Sequence, residues 1–190
     1  MLPQVTKAEL GVALITGPFS EYLNADETAV LIALVRQVAP RVMLELGCNT
    51  GTTAARVLEH VPSLEAYYGV DVPFGFVTTL RCQQSETRQR PGREALADPR
   101  FRLLVRETGS LEVEPELEPC DAIFIDGDHS FNAVLHDSEI ASHLIKPGGI
   151  IVWHDYRNPG VEVTAALDEL AAEGWPLAHV ADTWLAFARF

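Results

Sequence analysis

Positive charge is scarce in this chain: 14 lysines and arginines stand against 27 aspartates and glutamates in 190 residues, a formal net charge of −13. A surface that tracks phosphates needs a basic patch, so nucleic acid is not an expected partner. The densest basic stretch runs from Arg81 to Arg106, where seven arginines alternate with acids. It reads as a solvated helix and loop, with contact to an anionic substrate as the alternative. Cysteine is scarce too. Cys48, Cys82 and Cys120 are odd in number and never spaced as CxxC, which argues against a disulfide frame or zinc knot and for a reducing compartment. No apolar run reaches the roughly 18 residues that cross a bilayer. The first residues lack a basic flank followed by a long apolar segment, so no secretory signal is expected. The expected location is the cytoplasm, with no membrane partner. Internal repeats and low-complexity tracts are absent.

What is present is enough for one full-sized core: 190 residues, 47% of them hydrophobic. The order of elements is informative. Helices are expected over Thr6–Ile15 and Ala25–Val38, the second capped by Asn24 or Asp26. "RVMLEL" reads as a buried strand bounded by Pro40 and Gly47, followed by a helix from Thr50 to His60. "EAYYGVDV" is a second strand, Phe74 to Arg90 a polar helix, and "RQRPGREALADP" a loop or broken helix. "FRLLVRE" and "DAIFID" are the third and fourth strands. Asn132–Ile145 is an amphipathic helix closed by "KPGG". "GIIVWHD" is the fifth strand, Val161–Glu173 a helix, and "PLAHVA" with "TWLAFARF" a closing hairpin. Continuously apolar strands alternating with helices mean a parallel sheet covered on both faces. The expectation is a doubly wound, Rossmann-like α/β fold. Its seven-stranded sheet is mostly parallel, with a C-terminal antiparallel hairpin. Residues 1–24 form a helical extension and residues 25–190 the core of a single domain.

In open α/β sheets ligands bind beyond the carboxyl ends of the strands. The first strand ends in Glu45-Leu46-Gly47-Cys48-Asn49-Thr50-Gly51. Gly47 and Gly51 permit a tight turn and a close approach of ligand to backbone, and Asn49 tolerates a left-handed conformation. Asp71 ends the second strand about two dozen residues after Gly47, the spacing at which an acid reaches ribose hydroxyls. A nucleoside-containing ligand is expected. Asp126, Asp128 and His129 follow the fourth strand, and His154 and Asp155 the fifth. Acids and imidazoles converging on a sheet edge cost desolvation energy unless paired or metal-bound. Asp128 could instead cap the next helix, and His129 could be a packing residue. His60, His136 and His143 are expected in surface or core roles. Trp153 is expected beside the sheet or walling a pocket, Trp175 and Trp184 in the hairpin, and Cys48 for its size, without an activated thiolate.

Glu45 to Gly51, Gly69-Val70-Asp71, Asp121 to Asp126 with Gly-Asp-His-Ser, and Leu144 to Gly149 resemble, in order, the motifs of class I S-adenosylmethionine-dependent methyltransferases. The "IDGDHS" and "HDY" pair is similar to the small bacterial branch related to macrocin-type, and more distantly catechol-type, O-methyltransferases. The resemblance runs from about Ala25 to the C-terminus. It implies that the turn from Gly47 through Asn49 to Gly51 cradles the methionine part of S-adenosyl-L-methionine, with Glu45 near its ammonium. Asp71 would hold the ribose, and Thr108-Gly109-Ser110 would lie near the adenine. Asp126, beside the cofactor, and Asp155 would bind a divalent cation, with magnesium as the candidate. His154 or His129 would complete that site or act as base. Tyr156 stands where catechol-type enzymes carry an amide. The implied reaction is methyl transfer to a hydroxyl of a small molecule, with a homo-oligomer left open. The rival readings are a binding module that transfers nothing and a metal-dependent hydrolase or oxygenase.

Overall fold

In chain order the elements are β1 (Gln4–Val5), α1 (Ala25–Arg36), β2 (Val42–Leu46), α2 (Thr52–His60), β3 (Ala66–Asp71), β4 (Phe101–Val105) and β5 (Cys120–Ile125), then α3 (Phe131–Leu144), β6 (Ile145–Trp153), α4 (Val163–Ala172), β7 (Ala178–Val180) and β8 (Ala186–Arg189). They belong to a computed structural model in which residues 1–77, 89–106 and 117–190 are described. Among those residues, no helix is long and apolar enough to cross a membrane.

The strands form one sheet in the order β1-β7-β8-β6-β5-β2-β3-β4. From β6 to β4 every neighbouring pair is parallel. β8 runs antiparallel to both β6 and β7, and β1 is parallel to β7. The expected closing hairpin is present, and it places one reversed strand inside the sheet. The sheet has eight strands rather than seven because Gln4 and Val5 pair with His179 and Val180.

The strands are apolar on both sides because both sides are covered. Leu44, Leu46, Tyr68, Val70, Ile123, Ile125, Ile151 and Trp153 face Val134 and Ala141 of α3 and Val163 and Leu167 of α4. Their neighbours Met43, Tyr67, Phe124, Ile150 and Val152 pack with Val30, Leu31 and Leu34 of α1 and Val57 of α2. The period of two along each strand delivers alternate residues to two cores.

The chain departs from the sequence expectations at its start. No helix spans Thr6–Ile15, so residues 1–24 are not a helical extension. Thr6 and Glu9 do form a reciprocal cap, with Thr6 N donating to Glu9 Oε2 (2.7 Å) and Glu9 N to Thr6 Oγ1 (3.3 Å). Only one turn follows, and it ends at Gly11 and Val12. Leu10, Val12 and Ile15 pack against the core, but a single turn carries little of the cooperativity that extends a helix. Phe74–Val77 are likewise non-helical, and most of the helix expected to follow lies outside the described residues. "KPGG" ends α3 at Leu144 as expected, but the same residues already belong to β6. Phe190 stacks edge-on against Trp175 (5.4 Å), which contacts Trp153 (6.2 Å).

After β2 the chain steps outward to β3 and β4, then returns to lay β5 on the other edge of β2. The strand order therefore reverses between β2 and β5, and their carboxyl ends diverge there into a crevice.

Candidate active site

The turn after β2 is shaped by crossing backbones. Gly47 N and Cys48 N both donate to Val70 O at the end of β3 (2.9 and 3.0 Å), while Asp126 N donates to Leu46 O (2.8 Å). Gly47 has φ +88, and a Cβ there would lie 2.2 Å from the carbonyl oxygen of Asp126. Gly51 has φ +83, and its Cβ would meet Gly92 at 2.9 Å. Gly92 N in turn donates to Asn49 O (2.7 Å). Both glycines are needed because the protein's own backbone approaches each of them closely. Gly47, Asn49 and Thr50 line the crevice. Gly51 sits behind it as the N-cap of α2. Asn49 takes the left-handed conformation (φ +43) anticipated for it.

The crevice is a cavity of about 570 Å³. Glu45, Asp71, Asp126, Asp128, His129, His154 and Asp155 all reach it. Glu45 is buried, and its carboxylate accepts one hydrogen bond, from the Tyr67 hydroxyl (2.9 Å). Burial, reinforced by the charges of Asp126 and Asp71 against the Tyr67 bond, pushes its pKa up to about 8. Asp71 accepts from Asn49 N with one oxygen and from Val72 N (2.8 Å) with the other. Burial outweighs those bonds and lifts it to about 6.

On the β5 and β6 side the balance reverses. His154 Nδ1 lies 3.1 Å from Asp126 Oδ1 and 3.6 Å from Asp155 Oδ2. His129 Nε2 lies 3.4 and 3.2 Å from the same two oxygens. Burial would raise Asp126, but the charge and hydrogen bonds of the two imidazoles bring it down to about 2. Burial would lower His154, yet Asp126, Glu27 and Asp155 hold it well above its ordinary value. One donor atom each from Asp126, His154 and Asp155 fall within 4.8 Å of one another, close enough to share an ion.

Of the expected cofactor and metal residues that are described, all but Gly51 line this one cavity. Gly109 and Ser110, with Thr108, lie outside the described residues. Asp128 is not the cap of α3: Ser130 is the N-cap, and Asp128 Oδ1 accepts from Ser130 N (2.8 Å) in the turn before the helix. Cys48 lines the cavity with its thiol pushed well up by burial, which fits the absence of an activated thiolate. Tyr156 points away, its hydroxyl donating to Asp168 (3.0 Å). Trp153 is fully buried and donates to Ser138 Oγ (2.9 Å), so it walls no pocket.

Three residues belong to the site against expectation. His136 lines the cavity instead of the surface or core. Trp184 leaves the hairpin core to stand at the mouth, 41% exposed, with its ring 6.2 Å from that of His154. Glu27, in the first turn of α1, approaches His154 Nε2 at 3.6 Å. Nothing in the sequence around Glu27 signals this, because its spacing from Asn24 already reads as a helix cap. Of the seven arginines between Arg81 and Arg106, Arg106 lines the cavity.

A family model described as a methyltransferase domain matches residues 44–156. No curated protein matches the chain. Several solved structures share its fold at low identity. A putative O-methyltransferase from Klebsiella pneumoniae is 20% identical over 96% of this chain and 86% of its own, with a TM-score of 0.62. A putative caffeoyl-CoA O-methyltransferase from Staphylococcus aureus is 15% identical over 90% and 84%, with a TM-score of 0.63. The O-methyltransferase TomG from Streptomyces achromogenes, solved in complex with SAM, is 16% identical over 88% and 81%, with a TM-score of 0.59. The family match runs from the middle of β2 to just past β6, across more than half of the sequence. On that match the chain belongs to the methyltransferase-domain family, as a class I S-adenosylmethionine-dependent methyltransferase.

Proposed function

We propose that the protein methylates a hydroxyl group of a small-molecule acceptor, assisted by a divalent cation, in a cytoplasmic setting that suits its free Cys48 and Cys120. One observation carries this reading. The glycine turn with Glu45 and Asp71, and the cluster of Asp126, His129, His154 and Asp155, open into the same cavity of about 570 Å³. That volume is in the range of sites that enclose small ligands.

S-adenosylmethionine supplies a methyl group made electrophilic by its sulfonium. Asp71 is suited to the ribose of such a ligand, since each of its oxygens keeps a lone pair beyond the bond from Asn49 N or Val72 N. Glu45 is suited to an ammonium: a carboxyl held protonated by burial regains its charge when a cation comes within reach. A divalent cation would supply Lewis acidity toward the acceptor hydroxyl, held by Asp126, Asp155 and His154. His154 is 3% exposed and pinned, whereas His129 is 15% exposed and borders both acids. His129 Nε2 is therefore assigned the hydroxyl proton. Tyr22, Phe76 and Trp184, which line the cavity with these groups, give an acceptor an apolar wall that excludes water from the reacting atoms.

The test pairs binding with transfer. S-adenosylhomocysteine is expected to raise the melting temperature of the ligand-free protein. Labelled S-adenosylmethionine is expected to methylate hydroxylated acceptors, and a chelator to suppress that transfer. No stabilisation by S-adenosylhomocysteine, together with no transfer to any acceptor, would sink the proposal.

A further inference from the structure

Magnesium takes oxygen ligands and gives up its waters reluctantly. The cluster at the ends of β5 and β6 has a different donor chemistry. Its two carboxylates, Asp126 and Asp155, are flanked by imidazole nitrogens, and His154 Nδ1 stands within 3.1 and 3.6 Å of them. His154 also has a carboxylate behind it. Its ring is buried, and its Nε2 makes no hydrogen bond but lies 3.6 Å from Glu27 Oε2. Glu27 is itself fixed, with Oε1 accepting from Trp184 N and Oε2 from Asn24 Nδ2, both at 2.8 Å. A carboxylate behind an imidazole fixes the tautomer and raises the basicity of the opposite nitrogen, an arrangement that recurs behind metal-ligating histidines. Here the opposite nitrogen is Nδ1, and it faces the two aspartates.

We propose that the ion bound here is a late first-row transition dication of the iron, cobalt, nickel or zinc class. His154 Nδ1 is its nitrogen ligand, and Glu27 is the positioning residue that orients that ring. This rests on the cation-assisted reading above and sharpens it. Mixed nitrogen and oxygen donors favour these ions over magnesium, and affinity at such a site rises along the first row.

The experiment uses the full chain, stripped with a chelator and titrated calorimetrically with Co2+, Zn2+ and Mg2+, with the Co2+ complex read by its visible absorption. The expected result is Co2+ and Zn2+ binding at least about a hundredfold tighter than Mg2+, with a Co2+ spectrum that changes in His154→Asn. Glu27→Gln retains an acceptor for Trp184 N. It is expected to weaken Co2+ roughly tenfold while leaving Mg2+ affinity unchanged; a merely structural role would move both ions alike. Mg2+ binding as tight as Co2+, with both lost in Asp126→Asn, overturns this inference and leaves the cation-assisted reading standing. Binding of no dication overturns both.

Discussion

Two carboxylates at the crevice where β2 and β5 diverge respond to burial in opposite ways. Glu45, on β2, is pushed up to about 8, while Asp126, just past β5, is brought down to about 2. Both sit at the same reversal of strand order, so depth is not the difference. Company is. Glu45 has the Tyr67 hydroxyl and faces the charges of Asp71 and Asp126, whereas Asp126 is bracketed by His154 and His129. A buried acid with a hydroxyl alone gains from a cationic ligand, and a buried acid between imidazoles already has its counter-charge. The two halves of the floor are thus prepared for different chemistry. One holds a buried carboxyl with no counter-charge, and the other holds carboxylates already bracketed by imidazoles.

The largest effect expected is at Asp126. Asp126→Asn removes the carboxylate that both imidazoles contact, and should lower methyl transfer by about a thousandfold or more. S-adenosylhomocysteine affinity, which the proposed function assigns mainly to the β2 half, should stay within about threefold, as calorimetry would reveal. Equal loss of transfer and affinity would erase the division between the halves and make Asp126 structural. Next comes Gly47→Ala, which tests where the halves are joined. Its Cβ would lie 2.2 Å from a backbone oxygen at φ +88, so the ligand-free protein should lose about 3 kcal/mol or more in denaturant melts. Unchanged stability with lost cofactor binding would return this glycine to the ligand. A smaller effect is expected at Asp71. Asp71→Asn leaves at least one of the Asn49 and Val72 amides without its acceptor and should weaken the ribose contact proposed for this acid. It should cost about tenfold in S-adenosylhomocysteine affinity, or roughly 1.4 kcal/mol.

How much of this was legible in the sequence follows from what is local. β2, β3 and β5 read as continuous apolar runs because both of their faces are buried, whereas the edge strand β4 carries Arg102 and an exposed Val105. Asp126, His154 and Asp155 stood out because polar groups ending such runs have few bland explanations. Gly47 and Gly51 were the right residues for an incomplete reason: sequence shows that a turn is tight, not which chain presses on it. Glu27 was hidden by its own success as a cap. Its N–H donates to Asn24 Oδ1 (3.0 Å) and its carboxylate accepts from Asn24 Nδ2, so no local signal remained to mark a tertiary role. Trp184 and His136 became site residues through where β8 and α3 land, which no window of sequence reports. β1 is two residues long, too short for a period of two to be visible, and the helix expected just after it, over Thr6–Ile15, stops at a single turn.

The pH dependence of stability is the sharpest probe of the contrast between the two acids. An unfolded glutamate ionises near 4.5, whereas folded Glu45 keeps its proton to about 8. Between those values the folded state binds more protons than the unfolded one, so stability falls as pH rises, by up to about 1.4 kcal/mol per pH unit for one proton. Asp71, raised to about 6, works in the same direction over its own narrower range. His154, raised well above its ordinary value, does so from about pH 6.5 upward. Asp126 is depressed, so its contribution is present at neutral pH and lost only as the solution approaches pH 2. The Glu45 share is isolated by subtraction. Glu45→Gln keeps an acceptor for the Tyr67 hydroxyl and cannot ionise, so its stability should fall less steeply than the parent's between pH 5 and 8. S-adenosylhomocysteine, which carries an ammonium, should flatten the parent's curve in the same window and leave the variant's slope nearly unchanged. Parallel curves for parent and variant would mean that Glu45 is already charged in the ligand-free protein. The β2 half would then hold no stored preference for a cation, and the two acids would differ in position only.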